Sequence, residues 1–228
     1  MPTARESLLN AALMALAQLP WSGVRMVDVA SAAGVSRQTL YNEFGSKDGL
    51  ARGLARREAD TYLHGVDRLL AERTGAADRL VAIAEWTVGE ARAKPLLRAL
   101  LTGCWSERLP VPRPARRGAV LSKAPAQRRA DAGLPSPADL VAAVRDRSLA
   151  ALEKGSHPSR TKEESAELAH RSELAVRLAL SYVIAPVGEG VGPLVRTAVG
   201  GAVGATVSAT VSATSPTAAD RRRRQSPV

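Results

Sequence analysis

Between Ser36 and Lys47 the chain reads SRQTLYNEFGSK, a run dense in side chains that exchange hydrogen bonds. Arg37 carries a planar fork of donors that suits a guanine edge or a phosphate. Gln38 and Asn42 carry amides that pair with adenine, and Thr39 offers a methyl group to thymine. Tyr41 and Lys47 suit a phosphate backbone, Lys47 because it stands at a helix start whose free amides also attract anions. Leu40 and Phe44, four residues apart, let one helix bury that pair and turn the polar side chains outward. The chemistry on offer is recognition rather than bond making.

The elements that must hold these groups are legible on either side. Apolar residues at Leu8, Leu9, Ala12, Leu13, Leu16 and Leu19 predict an amphipathic helix from Arg5 to Leu19, stopped by Pro20. Met26, Val29, Ala30 and Ala33 predict a second, short helix that Gly34 closes. Ser36 caps a third helix, Gly45 ends it, and Ser46 caps a fourth. Two short helices joined by Gly34-Val35-Ser36, with Val29, Ala30, Val35, Leu40 and Phe44 available for one small core, form a helix-turn-helix pattern.

The stretch VDVASAAGVSRQTLYNEFGSKDGL resembles the N-terminal signature of the TetR family of one-component transcriptional regulators, in its A-G-V-S turn, T-L-Y core, aromatic Phe and S-K-D step. The resemblance covers about the first fifty residues. It implies an all-α fold: an N-terminal three-helix helix-turn-helix DNA-binding domain over 1–48, followed by a larger helical ligand-binding and dimerisation domain over 49–205. It also implies a homodimer on a near-palindromic double-stranded DNA operator and a small-molecule effector. Carried onto this chain, the DNA-facing positions are Ser36, Arg37, Gln38, Thr39, Tyr41, Asn42 and Lys47, and the core positions include Leu50. Where the family usually has Thr near the start of the second helix, this chain has Arg25, which exchanges a hydroxyl contact to phosphate for a charged one.

Beyond the signature, apolar spacing predicts a long helix from Ser46 toward Arg73, another over Asp78–Lys94, and a sixth from Pro95 to near Trp105. Residues 106–135 hold five prolines and a net charge of +5, which reads as a linker or loop. Ser136-Pro137-Ala138-Asp139 opens a helix to about Lys154. From Glu163 to Ala185 two apolar seams share one helix: Leu168, Ser172, Ala175, Ala179 and Tyr182 on one, and Leu174, Leu178, Ser181 and Ala185 on the other. One seam must face the chain's own core and the other a second copy, and the first is taken as the dimer interface. Another helix is expected around Leu194–Ala202, and residues 206–228, with ATVSATVSAT and four arginines, read as a low-complexity, disordered tail. Tyr62, Trp86, Cys104, Trp105 and Tyr182 are the candidate effector contacts, since ligand pockets pair aliphatic walls with a few aromatic and polar groups.

Composition limits the alternatives. The apolar fraction of 45% is aliphatic, with only seven aromatics, and suits packed helices. A single cysteine allows no internal disulfide and fits a reducing, cytoplasmic setting; no apolar run suits a membrane span. The net charge of +10 is weak evidence for nucleic acid, because residues 1–57 supply only +3 of it. His64, His157 and His170 lack metal-ligand spacing and Cys104 lacks a base partner, so neither an enzyme nor a bound cofactor is expected. The sequence reads as a ligand-responsive repressor. A second reading, which Arg25 leaves open, is a small-molecule-binding protein of the same fold without specific operator recognition.

Overall fold

The computed structural model describes residues 2–72, 75–113, 133–154, 161–186, 188 and 190–200. Among them are nine α-helices and no strand: α1 Ala4–Gln18, α2 Met26–Ala32, α3 Arg37–Phe44, α4 Lys47–Leu70, α5 Ala76–Ala93, α6 Pro95–Thr102, α7 Pro137–Lys154, α8 Lys162–Ile184 and α9 Val191–Gly200. The all-α expectation holds, and the helix ends fall within a few residues of the expected ones.

Local chemistry accounts for those ends. Thr3 caps α1 in a reciprocal box with Glu6, each side chain bonded to the other's backbone amide at 3.2 and 2.8 Å. Those bonds hold the Glu6 carboxyl below its ordinary value. Ser36 and Ser46 accept from the amides of Thr39 and Gly49 at 3.0 and 3.1 Å, so α3 and α4 start where their serines stand. Gly34 and Gly45 take positive φ of 67° and 70° at the ends of α2 and α3, conformations that an L side chain would strain. A one-turn 3-10 helix, Trp21–Gly23, links α1 to α2.

Two cores form. The N-terminal one gathers Leu8, Leu9, Ala12, Val24, Val29, Ala30, Leu40 and Phe44 with Leu50, Ala51 and Leu54 of α4 and Leu96 of α6. It therefore runs past residue 48: the first two turns of α4 complete this N-terminal unit, and α6 closes it. Val35, expected in this core, packs against it half-buried. The larger core joins α4 to α9 through Tyr62, Val66, Leu80, Ile83, Leu97, Leu140, Val144, Ala175, Val183 and Val195. Rising about 1.5 Å per residue, α4 spans roughly 36 Å and serves both cores.

Residues 106–113, expected to be loop, are tied down. The Trp21 amide donates to the Arg108 carbonyl at 2.9 Å, and the buried Arg52 donates to the Arg113 carbonyl at 2.7 Å. Trp105 packs against both cores. The expected tail over 206–228 lies outside the described residues.

The α4–α5 crossing depends on Gly65, where an added Cβ would lie 2.0 Å from the Trp86 ring. Gly89 on α5 is exposed with open space beside it. Gly65→Ala is expected to destabilise the fold by about 1–3 kcal/mol through overpacking. Gly89→Ala should stabilise it by up to about 1 kcal/mol through helix propensity. Urea denaturation of the two variants reads the opposite signs.

Candidate nucleic-acid interface

The α3 face carries the polar side chains because the helix has a single apolar pair to bury. Leu40 and Phe44 are each 1% exposed. Arg37, Gln38, Tyr41 and Asn42 turn outward, and Thr39 is half-buried. On that face Gln38 Nε2 donates to Asn42 Oδ1 at 2.9 Å, one helical turn away, so the two amides form a fixed pair. Ser36 and Thr39 exchange a hydroxyl hydrogen bond at 2.9 Å, and Ser36 also serves as the cap. Their hydroxyls already have protein partners; what they present is one edge of the helix start.

A second group assembles from three segments. Arg25 precedes α2, Arg37 and Tyr41 lie on α3, and Lys47 opens α4; the four line one open hollow with Ser22 and Met26. Lys47 Nζ donates to the Ser22 carbonyl at 3.2 Å and sits 5.2 Å from the centre of the Trp21 ring. Desolvation there lowers the Lys47 ammonium from its ordinary value, an effect that Asp48 partly opposes. Three cationic groups and a phenol around a concave surface, beside the N-terminus of α4, suit an oxyanion such as a backbone phosphate. Four of the eight residues expected at a DNA surface, Arg25 among them, share this hollow; the other four form the Gln38–Asn42 and Ser36–Thr39 pairs.

Spacing could not reveal the partners that fix this surface. Trp21 and Ser22 hold Lys47 from 25 residues away, across the fold. Arg5 pairs with Glu43 at 3.3 Å while its guanidinium lies 4.6 Å over the Phe44 ring, pinning the end of α3 to α1. Arg5 and Glu43 have no distinctive pattern in sequence, so only the packing of α1 on α3 brings them together.

The residues expected at the effector and at the dimer contact lie elsewhere in the fold. Tyr62 is buried, its hydroxyl bonded to Thr87 Oγ1 at 3.0 Å and its ring stacked on Trp86 at 5.4 Å. Burial pushes its phenol up to about 12. Tyr182 is buried in the larger core, Trp105 sits between the cores, and Cys104 is exposed just after α6. Tyr62, Trp86 and Tyr182 thus belong to the larger core, Trp105 bridges it to the smaller one, and Cys104 stands outside both. None lines the cavity of about 480 Å3 that opens between α1, α4 and α6.

The seam taken for dimerisation is instead internal. Ser172, Ala175 and Ala179 are wholly buried and Leu168 and Tyr182 nearly so, within the larger core. Both seams offer similar small and aliphatic residues, so periodicity alone could not choose between them. Leu174 and Leu178 remain half-buried, and Ser181 and Ala185 are exposed. Among the described residues no three His, Cys, Asp or Glu side chains gather as a metal site, and no helix is long and apolar enough to cross a membrane.

Comparison with known proteins adds three findings. Residues 8–54 match the family profile described as "Bacterial regulatory proteins, tetR family". The chain is 42% identical over 100 residues to the HTH-type transcriptional regulator AlkX of Mycobacterium tuberculosis (strain ATCC 25618 / H37Rv). That match spans 43% of this chain and 47% of the relative, so it reaches about half the relative's length. In overall fold the chain is similar to the TetR family repressor AlkX of Dietzia sp. strain DQ12-45-1b, implicated in biodegradation of n-alkanes. That similarity has a TM-score of 0.50 at 20% identity, covering 87% of this chain and 92% of that one. A tetR-family transcriptional regulator from Streptomyces coelicolor gives a TM-score of 0.50 at 18% identity, covering 87% and 79%.

Arg25 occupies the N-cap of α2 without a side-chain capping bond. Arg25→Thr should add a cap and stabilise the reader by about 0.5–2 kcal/mol, measured by thermal unfolding. The same change should weaken binding to any DNA duplex and reduce its salt dependence by about one phosphate contact. A variant that gains stability and keeps its full salt slope would place Arg25 away from phosphate.

Proposed function

We propose that the protein, whose residues 8–54 match the tetR family profile, is a ligand-responsive transcriptional repressor acting on a near-palindromic operator. The observation that carries this reading is the division of the α3 face. The Gln38–Asn42 amide pair stands where base edges would be read. Beside it, Arg25, Arg37, Tyr41 and Lys47 surround a hollow suited to phosphate. A reader with a base-facing patch and a backbone-facing patch has the two parts that sequence-specific binding requires.

A single reader of this size covers one half-site. Two copies joined through their larger units would hold two readers about 34–36 Å apart, one turn of DNA. The outer seam of α8, with Leu174, Leu178, Ser181 and Ala185, supports that contact, because it is the more exposed of the helix's two apolar seams. The effector is a small, largely apolar molecule that binds the DNA-bound and free states unequally. Its setting is the cytoplasm.

The direct test compares the DNA upstream of the protein's own gene with a scrambled duplex at two salt concentrations. Selective retention of the upstream duplex at the higher salt is expected; equal binding would refute operator recognition. Gln38→Ala and Asn42→Ala should each lose about 1–3 kcal/mol on the operator with little change on scrambled DNA. Lys47→Ala should weaken both duplexes alike and flatten the salt slope. For assembly, Leu178→Arg should shift the protein to monomer in sedimentation while preserving its helical circular dichroism. A dimer that survives this change would move the interface elsewhere.

A further inference from the structure

The cavity of about 480 Å3 lies where the reader meets the larger unit. The end of α1 contributes Leu13 and Leu16, the α5–α6 corner Leu96, and the tied segment Leu109. One acid projects from α4 into this apolar setting. Glu58 is 9% exposed, and its Oε1 is buried without a hydrogen-bond partner. Lys94, also on the cavity wall, brings its Nζ to 3.6 Å from that oxygen, a Coulombic contact just beyond hydrogen-bond reach, and is engaged at 2.7 Å by Glu90. A buried carboxylate oxygen whose facing cation stands at 3.6 Å and is shared with Glu90 is incompletely satisfied, an arrangement that an occupant's donor would relieve.

Three charged side chains line the cavity: Arg108 is exposed, and Glu58 and Lys94, which stand together, restrict the occupant. A carboxylate head would stand against Glu58, and an ammonium head against Lys94. A hydroxyl can donate to Glu58 Oε1 and accept from Lys94 Nζ, and the leucine walls suit an aliphatic chain behind it. The volume falls within the range of small-molecule sites. We infer that this junction binds an uncharged aliphatic molecule with a hydroxyl head, and that its occupancy sets how the reader packs against the larger unit. The second part rests on the regulatory reading above. An occupant would sit between Leu16 of the reader and Leu109 beside the Trp21–Arg108 tie, so it would press on the contacts that orient the reader.

The probe is 1-octanol, titrated calorimetrically into the full chain, with octanoate and octylamine as charged controls. Octanol should bind, and each charged analogue should bind at least about tenfold more weakly. Glu58→Leu should lower octanol affinity about tenfold, the loss expected for a hydrogen bond to a charged group. Ala17→Trp, at an exposed position on the cavity rim, should abolish binding while leaving the melting temperature of the free protein nearly unchanged. Absence of octanol binding, octanoate binding as tight as octanol, or unchanged binding by a folded Ala17→Trp chain would overturn the site. Octanol that binds without altering affinity for the upstream duplex would overturn its regulatory role. A chain that binds octanol but selects no DNA would instead remove the repressor reading and leave the site standing.

Discussion

The contact on which the reader depends is that of Phe44 with α4. Phe44 ends α3 and is almost fully buried, and α4 meets it with glycines. A Cβ at Gly53 would fall 2.7 Å from the Phe44 ring, and one at Gly49 would fall 1.8 Å from the Phe44 carbonyl oxygen. The glycines cost helix propensity, roughly 1 kcal/mol each, and what they allow is direct backbone approach. Since α3 has only eight residues, it holds no orientation of its own, and the angle of the recognition face is inherited from this seat. Arg5, lying over the ring and paired with Glu43, secures the same corner from α1.

From that corner α4 carries the geometry onward. Its first turns belong to the small core and its later turns to the large one, so reader and remainder share a helix rather than a hinge. Leu96 and Trp105 join the small core from the far end of the chain's path, and the Arg52 and Trp21 contacts fasten residues 108–113 across the same boundary. Movement of the reader must therefore repack this boundary, because several independent contacts cross it.

Much of this was legible in the sequence where the physics is local. Caps at Ser36, Ser46 and Ser136, the positive-φ glycines and the apolar periodicities placed the helices, because each depends on neighbours within a few residues. The outward turn of Arg37, Gln38, Tyr41 and Asn42 from the buried Leu40 and Phe44 was legible for the same reason. Choices between equivalent faces were not legible. The two seams of α8 differ only in what packs on them, and the aromatics that suggested a pocket were satisfied by one another, as Tyr62 is by Trp86 and Thr87. The junction cavity was invisible because its walls come from four separated stretches, each ordinary alone.

The Gln38–Asn42 hydrogen bond ties together two exposed side chains one helical turn apart. It uses one Gln38 N–H and the Asn42 oxygen, and leaves the Gln38 oxygen and the Asn42 amino group open to other partners. The two open groups are thereby held at a set spacing, so part of the rotamer entropy that ordering them would cost is already lost before any partner arrives.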